Sequence, residues 1–297
     1  MTVTYRDFIH PEDDRARREL EAVPGFDTVT KCFMKFGVEK FLHGSLMANC
    51  IRLSPTQLPE IYGLLPPVAK KFGIAEPEFY LQMDPSPNAC TMGDETRFLV
   101  ITSGLLQYIR DPQERESVIA HECGHIVCRH VFYLTMAHLL MSVGSSIGIP
   151  SALFAPITLA LNYWLRRSEL SADRASAAYL GDPAPVMRSL LRLTGGPHVL
   201  TESVNMDEYA KQADDYYKLL EDSKWHKLLQ SLAVMNANHP FSAVRVREVS
   251  SWCGNEAFRR LCAAWKDGLE GAICRSCGKS IARGDKFCCH CGRPTGA

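Results

Sequence analysis

The sequence has no net charge, no hydrophobic leader and no internal repeat. Its 33 lysine and arginine residues balance 33 aspartate and glutamate residues, so no overall field draws nucleic acid or an acidic membrane to the protein. The first residues, MTVTYRDFIHPEDDRARREL, are polar and lack the apolar run of a signal peptide. We therefore expect a cytoplasmic protein whose 297 residues form one large domain plus a small one.

Charged residues are absent from one long stretch of the sequence. Residues 131–165 contain no Asp, Glu, Lys or Arg over 35 positions, with a break near residues 144–150. Each half is at the short end of what a bilayer-spanning helix needs, so a membrane hairpin is one interpretation. His138, several serines and two prolines favour the other, a helix pair of a soluble protein. We predict an uncharged helical hairpin that packs on the protein core or rests on a membrane.

Disulfide bonds are not expected, although the sequence has twelve cysteines. Eight are scattered without a framework, as in a reduced protein. The other four form two Cys-x-x-Cys pairs with ten residues between them, and glycine directly after each pair permits a tight turn. Four thiolates at this spacing make a closed structural zinc site. We predict a metal-dependent zinc ribbon at residues 272–294, with ligands Cys274, Cys277, Cys288 and Cys291; a site that uses His290 is the alternative.

The central motif of the sequence is His121-Glu122-Cys123-Gly124-His125 within the apolar stretch SVIAHECGHIVCRH. Residues four apart lie on the same face of an α-helix, so His121 and His125 can present their imidazoles to one metal ion. Glu122 follows the first histidine and can reach a metal-bound water as a general base. A core helix with two hydrogen-bonded histidines is the alternative.

Capping signals place this motif on a helix. Asp111-Pro112-Gln113-Glu114 combines a cap, a proline at the first helical position and a glutamate three residues after the cap. Ser54-Pro55-Thr56-Gln57 carries the same signal, and we expect a helix there that Pro66 and Pro67 interrupt and Gly73 ends.

The remaining elements predict an α+β, mostly helical protein. Strands over 78–83 and 97–102, with a turn over 85–93, predict a small antiparallel sheet. Helices are predicted over 38–47, 162–180, 184–193, 206–220, 225–235, 241–252 and 255–265. We expect an N-terminal helical arm at residues 1–52, a main domain at 53–265 and the ribbon at 272–294.

A catalytic zinc ion needs a third protein ligand. Glu169, in RRSELSADRAS, is the candidate, and Asp173 lies one helical turn later on the same face. One carboxylate can bind the metal while the other holds the free N–H group of an imidazole. The alternative is a solvated acidic face balanced by neighbouring arginines.

Five features together resemble the HtpX-like and CAAX prenyl endopeptidase group of gluzincin zinc metallopeptidases over most of residues 54–252. They are Pro87-Asn88-Ala89, ITSGLL at 101–106, HECGH, the pair Glu169 and Asp173, and His239-Pro240 with Arg245. The resemblance implies a gluzincin core in which zinc is bound by His121, His125 and Glu169. It implies Glu122 as general base and Asp173 as the support of a ligand.

The same resemblance implies two further groups of site residues. His239 and Arg245 would face the metal from the opposite side and stabilise a tetrahedral oxyanion. A sheet edge would pair with an extended peptide substrate, and its residues are Pro87, Asn88, Ala89 and Cys90. Well-known members are integral membrane proteins, whereas nothing before residue 131 here reads as a spanning segment.

We thus predict a zinc metalloendopeptidase that hydrolyses a peptide or protein substrate by a zinc-activated water and binds two Zn²⁺ ions per chain. One alternative is a non-catalytic zinc-binding adaptor whose ribbon docks a protein or nucleic-acid partner; another is hydrolysis of a non-peptide amide. Few basic and aromatic residues in the ribbon argue against nucleic acid, which favours protein docking, with structural capping as the alternative. Membrane association would run through residues 131–165.

Overall fold

The computed structural model of the protein describes residues 3–35, 38–143, 151–221, 242–265, 271–273 and 280–282. The helix predicted over 225–235 lies outside these ranges. The first helices are α1 (Pro11–Glu21), α2 (Phe26–Lys35), α3 (Val38–Asn49), α4 (Pro59–Tyr62), α5 (Leu65–Phe72) and α6 (Ser103–Tyr108). They are followed by α7 (Pro112–Val127), α8 (Val131–Val143), α9 (Ser151–Leu180), α10 (Ala184–Gly195), α11 (His198–Thr201), α12 (Met206–Glu221), α13 (Ser242–Cys253) and α14 (Glu256–Ala264). The α+β, mostly helical class is confirmed.

The main sheet has four strands: β1 (Ile51–Arg52), β2 (Glu78–Gln82), β3 (Ala89–Gly93) and β4 (Arg97–Thr102). Their spatial order is β1-β2-β4-β3, with β2 and β4 parallel and both outer pairs antiparallel. The predicted antiparallel sheet is therefore wrong for the central pair. The predicted turn over 85–93 ends in strand β3, which forms a hairpin with β4 and takes the edge. β4 consequently enters beside β2 in the same direction.

The sequence of β4 explains its central place. Phe98, Leu99, Val100 and Ile101 are all almost fully buried, so both faces of this strand are covered. A continuous apolar run is typical of a strand that is covered on both sides. One face contacts the main core, and the other packs under α3 with Leu42 and Leu46.

The helix predicted to begin at Ser54 is wrong at that position. Ser54 and Gln57 exchange two backbone hydrogen bonds of 3.0 Å and close a turn instead. The preceding residues are already paired with β2, because Ile51 lies opposite Leu81 and the Leu53 amide donates to Phe79. Helix α5 begins later, and its prolines occupy the first turn, where a missing N–H costs nothing. Gly73 ends it with a φ of 62°, as predicted.

Helices α7 and α9 form the centre of the fold. Gly124 of α7 faces Ala172 and Ala175 of α9, and the absence of a side chain at Gly124 lets the two helices approach closely. Ser176 of α9 donates a 2.7 Å hydrogen bond to the Ser117 carbonyl of α7. These small residues bring the predicted ligands of the two helices together.

The uncharged stretch packs against the N-terminal helices. Its buried side chains form a second core with α1 and α2; the members are Ala16, Leu20, Phe26, Met136, Ala137, Ile157, Leu161 and Trp164. Within the described ranges, none of the helices is both long and apolar enough to cross a bilayer. The buried apolar residues of this stretch thus contribute to protein packing.

The N-terminal region also contributes to the main core. Phe8 is fully buried, and its ring lies 6.1 Å from that of Phe72 and 5.1 Å from that of Trp265. The proposed division between an arm at 1–52 and a domain at 53–265 stays a prediction. Two short strands, β5 (Gly271–Ile273) and β6 (Ser280–Ala282), pair antiparallel at the start of the predicted ribbon.

Candidate active site

The helix that carries the central motif begins where its cap predicts. Oδ1 of Asp111 accepts hydrogen bonds from the amides of Gln113 at 2.8 Å and Glu114 at 3.0 Å, and Pro112 is the first helical residue. This cap satisfies two amides that a helix start leaves unpaired. Helix α7 then runs through His121, and His125 lies in its last turn.

Three predicted ligands converge at one point. Nε2 of His121 lies 3.2 Å from Nε2 of His125. Glu169 lies on α9. Its Oε2 is 3.5 Å from Nε2 of His121, and its Oε1 is 3.4 Å from Nε2 of His125. One donor atom from each residue therefore lies within 4.8 Å of the other two, as a shared metal ion requires.

The opposite nitrogen of each imidazole has its own partner. Nδ1 of His121 donates to Oδ1 of Asp173 at 3.0 Å, and Nδ1 of His125 lies 3.0 Å from Nδ1 of His130. When Nδ1 of His121 carries the proton, its Nε2 presents a lone pair to the cluster. Asp173 thus lies in the supporting position that the sequence predicts.

Arg245 takes a different position from the one predicted. Its guanidinium donates two 2.7 Å hydrogen bonds to Asp173, and its Nη1 lies 2.7 Å from Oε2 of Glu169. The side chain is 3% exposed. Because its N–H groups point at these carboxylates, the structure favours a role in positioning Asp173 and Glu169 over the predicted contact with an oxyanion.

The charges of the cluster favour a cation. Burial raises the pKa of Glu169, but Arg245 and the two imidazoles outweigh it and hold this pKa well below its usual range. Burial also opposes a charged imidazole at His121, yet contacts with Asp173 and Glu169 raise its pKa to about 10. The site therefore attracts positive charge at the point where the two imidazoles meet.

The donor set fits zinc. Ligands at about 2.0–2.1 Å from a tetrahedral zinc ion lie roughly 3.3–3.4 Å apart. The two imidazole nitrogens lie 3.2 Å apart, and each has one oxygen of Glu169 at 3.4–3.5 Å. Two histidines and a glutamate also leave a fourth tetrahedral position open, as catalytic zinc sites do.

Glu122 is held beside the cluster by a residue that the sequence did not indicate. Thr91, on β3, donates a 2.8 Å hydrogen bond to Oε2 of Glu122, and both side chains are buried. Among the described residues, none donates a hydrogen bond to Oε1 of Glu122. Thr91 belongs to an alternating strand pattern, so nothing local in the sequence reveals its partner in α7.

A narrow cleft adjoins the cluster. Polar groups of the site form one part of its wall, and the apolar part is lined by Ala89, Leu105, Val118, Val186, Leu190 and Leu193. Of the predicted edge residues, Asn88 has its carbonyl bound to the Thr102 amide of β4. The Cys90 side chain packs on the opposite face beside α3, where burial raises the pKa of its thiol to about 12. Ala89 is the member that reaches the cleft.

Other predicted site residues lie outside the described part of the chain. They are His239 and the four cysteines Cys274, Cys277, Cys288 and Cys291. The sequence did not indicate a role for His130 or for Asp13, which lies 3.0 Å from Nε2 of His130. His130 lies five residues after His125, but Asp13 reads as an ordinary acidic residue in the first turn of α1.

Comparisons with known proteins agree with this geometry. The family model described as Peptidase family M48 matches residues 55–253. The plastoglobule-localized metallopeptidase 48, chloroplastic, of Arabidopsis thaliana is 28% identical over 259 residues, which are 86% of this chain and 74% of that protein.

Two bacterial relatives match a shorter part. Protease HtpX homolog 1 of Streptomyces coelicolor is 26% identical over 167 residues, 47% of this chain and 55% of its own length. A protease HtpX homolog of Moorella thermoacetica is 26% identical over 172 residues, 48% of this chain and 57% of its own length. The match thus spans little more than half of these two relatives. No solved structure matches the chain.

Proposed function

This chain belongs to peptidase family M48 and is a metalloprotease, and from this premise we propose that it is a zinc endopeptidase with Glu122 as its general base. His121, His125 and Glu169 are the proposed zinc ligands. The observation that carries the proposal is the convergence of their donor atoms within 4.8 Å of one another. The resemblance seen in the sequence agrees with the family match.

A zinc ion held by these side chains would polarise a peptide carbonyl and lower the pKa of a bound water toward neutrality. Glu122 would accept a proton from the attacking water and return it to the leaving amine. Since Oε2 of Glu122 accepts a hydrogen bond from Thr91, we assign the proton to Oε1. Arg245 keeps Asp173 ionised and in place, and Asp173 in turn orients His121.

The edge of the sheet supports a binding mode for the substrate. The peptide groups of Asn88 and Gly93 point to opposite sides of β3, because Asn88 contacts β4 whereas both Gly93 groups contact Thr135 of α8. The alternation of a strand then directs the peptide group of Ala89 away from β4, toward the cleft. We propose that Ala89 pairs with an extended substrate backbone and that the apolar wall receives a substrate side chain.

Three further assignments stay proposals. His239 would donate a hydrogen bond to the oxyanion. The C-terminal cysteines would hold a second, structural zinc ion, and their ribbon would dock a protein partner or a substrate. For location, the cytoplasm remains our proposal, with peripheral membrane contact through residues 131–165 as the alternative; one relative is named as plastoglobule-localized.

The test is a comparison of Glu122→Gln with the unchanged protein. We expect peptide cleavage, profiled on a proteome-derived library, to fall by at least about 100-fold because a general base is lost. Zinc content should not change, since Glu122 is not a proposed ligand.

Glu116→Gln is the matched control. Glu116 lies on the same helix and accepts a hydrogen bond from Tyr179, which a glutamine oxygen can also accept. This variant should cleave within about twofold of the unchanged protein. Identical cleavage profiles for all three proteins would contradict the proposal and favour the adaptor alternative.

A further inference from the structure

We propose that Asp13, on the N-terminal helix α1, is a positioning residue of the metal site that acts through His130 on His125. The inference deepens the proposed function, because it takes His125 as a zinc ligand. Helix α1 lies outside residues 55–253, which the family model matches. Part of the support of this metal site therefore comes from a segment that the family match does not cover.

A continuous chain of contacts joins the two residues. Nδ1 of His125 lies 3.0 Å from Nδ1 of His130, and Nε2 of His130 lies 3.0 Å from Oδ2 of Asp13. Asp13 is 2% exposed and His130 is 1% exposed. His125 is also buried, so these contacts are shielded from water.

Two residues of α9 hold the Asp13 carboxylate. The Trp164 indole donates to Oδ1 at 2.9 Å, and the Ser171 hydroxyl donates to Oδ2 at 2.5 Å. The Ser171 hydroxyl also accepts a 2.9 Å hydrogen bond from the His10 amide. The carboxylate is thus fixed by the helix that supplies Glu169, and α1 and α9 share one polar network.

The direction of the protons follows from the chemistry of the groups. An ionised carboxylate only accepts, so Nε2 of His130 must carry a proton. In the neutral imidazole, Nδ1 of His130 is then an acceptor, and it requires a proton on Nδ1 of His125. Nε2 of His125 is left with the lone pair that a metal ligand needs. Asp13 therefore selects the tautomer of His125 through the two contacts that His130 makes.

A positioning residue differs from a residue that only contributes to core packing, because its replacement should weaken metal binding. The partner of a ligating histidine fixes the orientation and the basicity of the ring, and loss of such a partner typically weakens metal affinity about 10- to 100-fold. In Asp13→Asn the single oxygen can replace only one carboxylate oxygen. The amide nitrogen then faces either the Trp164 indole N–H or Nε2 of His130, and one donor pair clashes.

The first experiment measures zinc affinity by competition with a chelator in the full-length protein. The relevant binding phase is the one that His125→Ala abolishes. Asp13→Asn should weaken this phase about 10- to 100-fold. Asp14→Asn is the control, because Asp14 lies next on the same helix and its ion pairs among the described residues are with the half-buried Arg17 and the exposed Arg18; the zinc affinity of this variant should stay within twofold.

A second variant separates the proposed relay from general damage. His130→Leu cannot accept the proton of His125 and should weaken zinc binding to a similar extent, and His130→Gln, which retains an acceptor, should restore part of the affinity. Asp13→Asn combined with His130→Leu should bind no more weakly than His130→Leu alone. Independent, additive losses, or an unchanged affinity in Asp13→Asn, would overturn the proposal.

A measurement on the unchanged protein decides the case where Asp13→Asn does not fold. Nitrogen-15 NMR of labelled histidine should show His130 as the Nε2–H tautomer with a proton protected from exchange. The Nδ1–H tautomer at His130 would overturn the relay. If the unchanged protein binds no zinc that His125→Ala removes, the proposed function fails first, and the two failures are thereby distinguished.

Discussion

Glu169 and Asp173 lie one helical turn apart on α9, yet their surroundings give them different tasks. Both oxygens of Asp173 accept from Arg245, and one also accepts from His121. Glu169 is in contact with Arg245 through Oε2 and turns both oxygens toward the two imidazoles. Both oxygens of Asp173 are thus engaged by Arg245, whereas Glu169 is the carboxylate whose oxygens face both imidazoles.

The effect of Arg245 on stability should depend on the metal. In the metal-free protein, Arg245→Gln leaves the buried Asp173 and the half-buried Glu169 without this counter-charge, and we expect a loss of about 3–5 kcal/mol in the free energy of unfolding. In the zinc-loaded protein the cation compensates part of this charge, so the loss should be smaller. Urea denaturation of both forms measures the difference.

The control for this substitution lies on the same helix. Arg247 pairs with Asp214 at 2.9 Å, and both side chains are substantially exposed. Exposed pairs contribute about 0–1 kcal/mol, so Arg247→Gln should have a small effect that zinc does not change. An equal loss for Arg245→Gln with and without zinc would contradict the proposed compensation.

At the scale of helices, Gly124 sets the distance between the ligands. A Cβ atom at this position would lie 3.0 Å from Cβ of Ala175 and 3.1 Å from the Ala172 carbonyl. Gly124→Ala should therefore push α7 away from α9, lower the free energy of unfolding by about 1–3 kcal/mol and weaken zinc binding. Thermal denaturation and chelator competition measure the two effects.

Gly44→Ala is the matched control because it makes the same change inside another helix. Gly44 lies in α3, is exposed and has no heavy atom within 4 Å of the added Cβ. Alanine is favoured over glycine in a helix by about 1 kcal/mol, so this variant should gain stability. A comparable gain in Gly124→Ala would show that α7 and α9 do not need close contact here.

Local signals predicted elements well only where long-range pairing did not compete. Asp111 and Ser54 begin almost identical capping patterns, and both lie before a proline. The helix forms after Asp111, whereas the residues before Ser54 are held in β1 by pairing with β2. The capping pattern at Ser54 carries no information about β2, which lies about 30 residues later and pairs with β1. The helix predicted to begin at Ser54 is wrong for this reason.

The same limit applies to the site. His121, Glu122 and His125 share one helix, and their spacing alone predicts their common face. The partners of these residues come from distant segments: Thr91 lies 31 positions before Glu122, and Asp13 is separated by more than 100 positions from His130. Such pairs depend on helix packing, which a single sequence does not specify.

At the scale of the whole molecule, the N-terminal helices link the two cores to the site. Leu20 and Ala16 of α1 pack on α8 and α9 in the second core, while Phe8 enters the main core beside Trp265. Asp13 lies between them and contacts Trp164 and His130. The described residues of α1 and of the segment around Phe8 thus pack against the same part of the fold that carries the proposed ligands.

The number of zinc ions per chain tests the organisation of the whole protein. We expect metal analysis of the full-length reduced protein to give two zinc ions, and one in each of two variants, His125→Ala and the double change Cys274→Ser with Cys277→Ser. Truncation after Gly268 should also leave one.

At a free concentration of 100 times Kd, a bound ion adds about 2.7 kcal/mol to the stability of the unit that binds it. His125→Ala should therefore abolish the zinc-dependent stabilisation of the main domain, whereas the cysteine changes should preserve it. A single zinc ion in the full-length protein would remove one of the two assignments, and the variant that still binds zinc would identify which one.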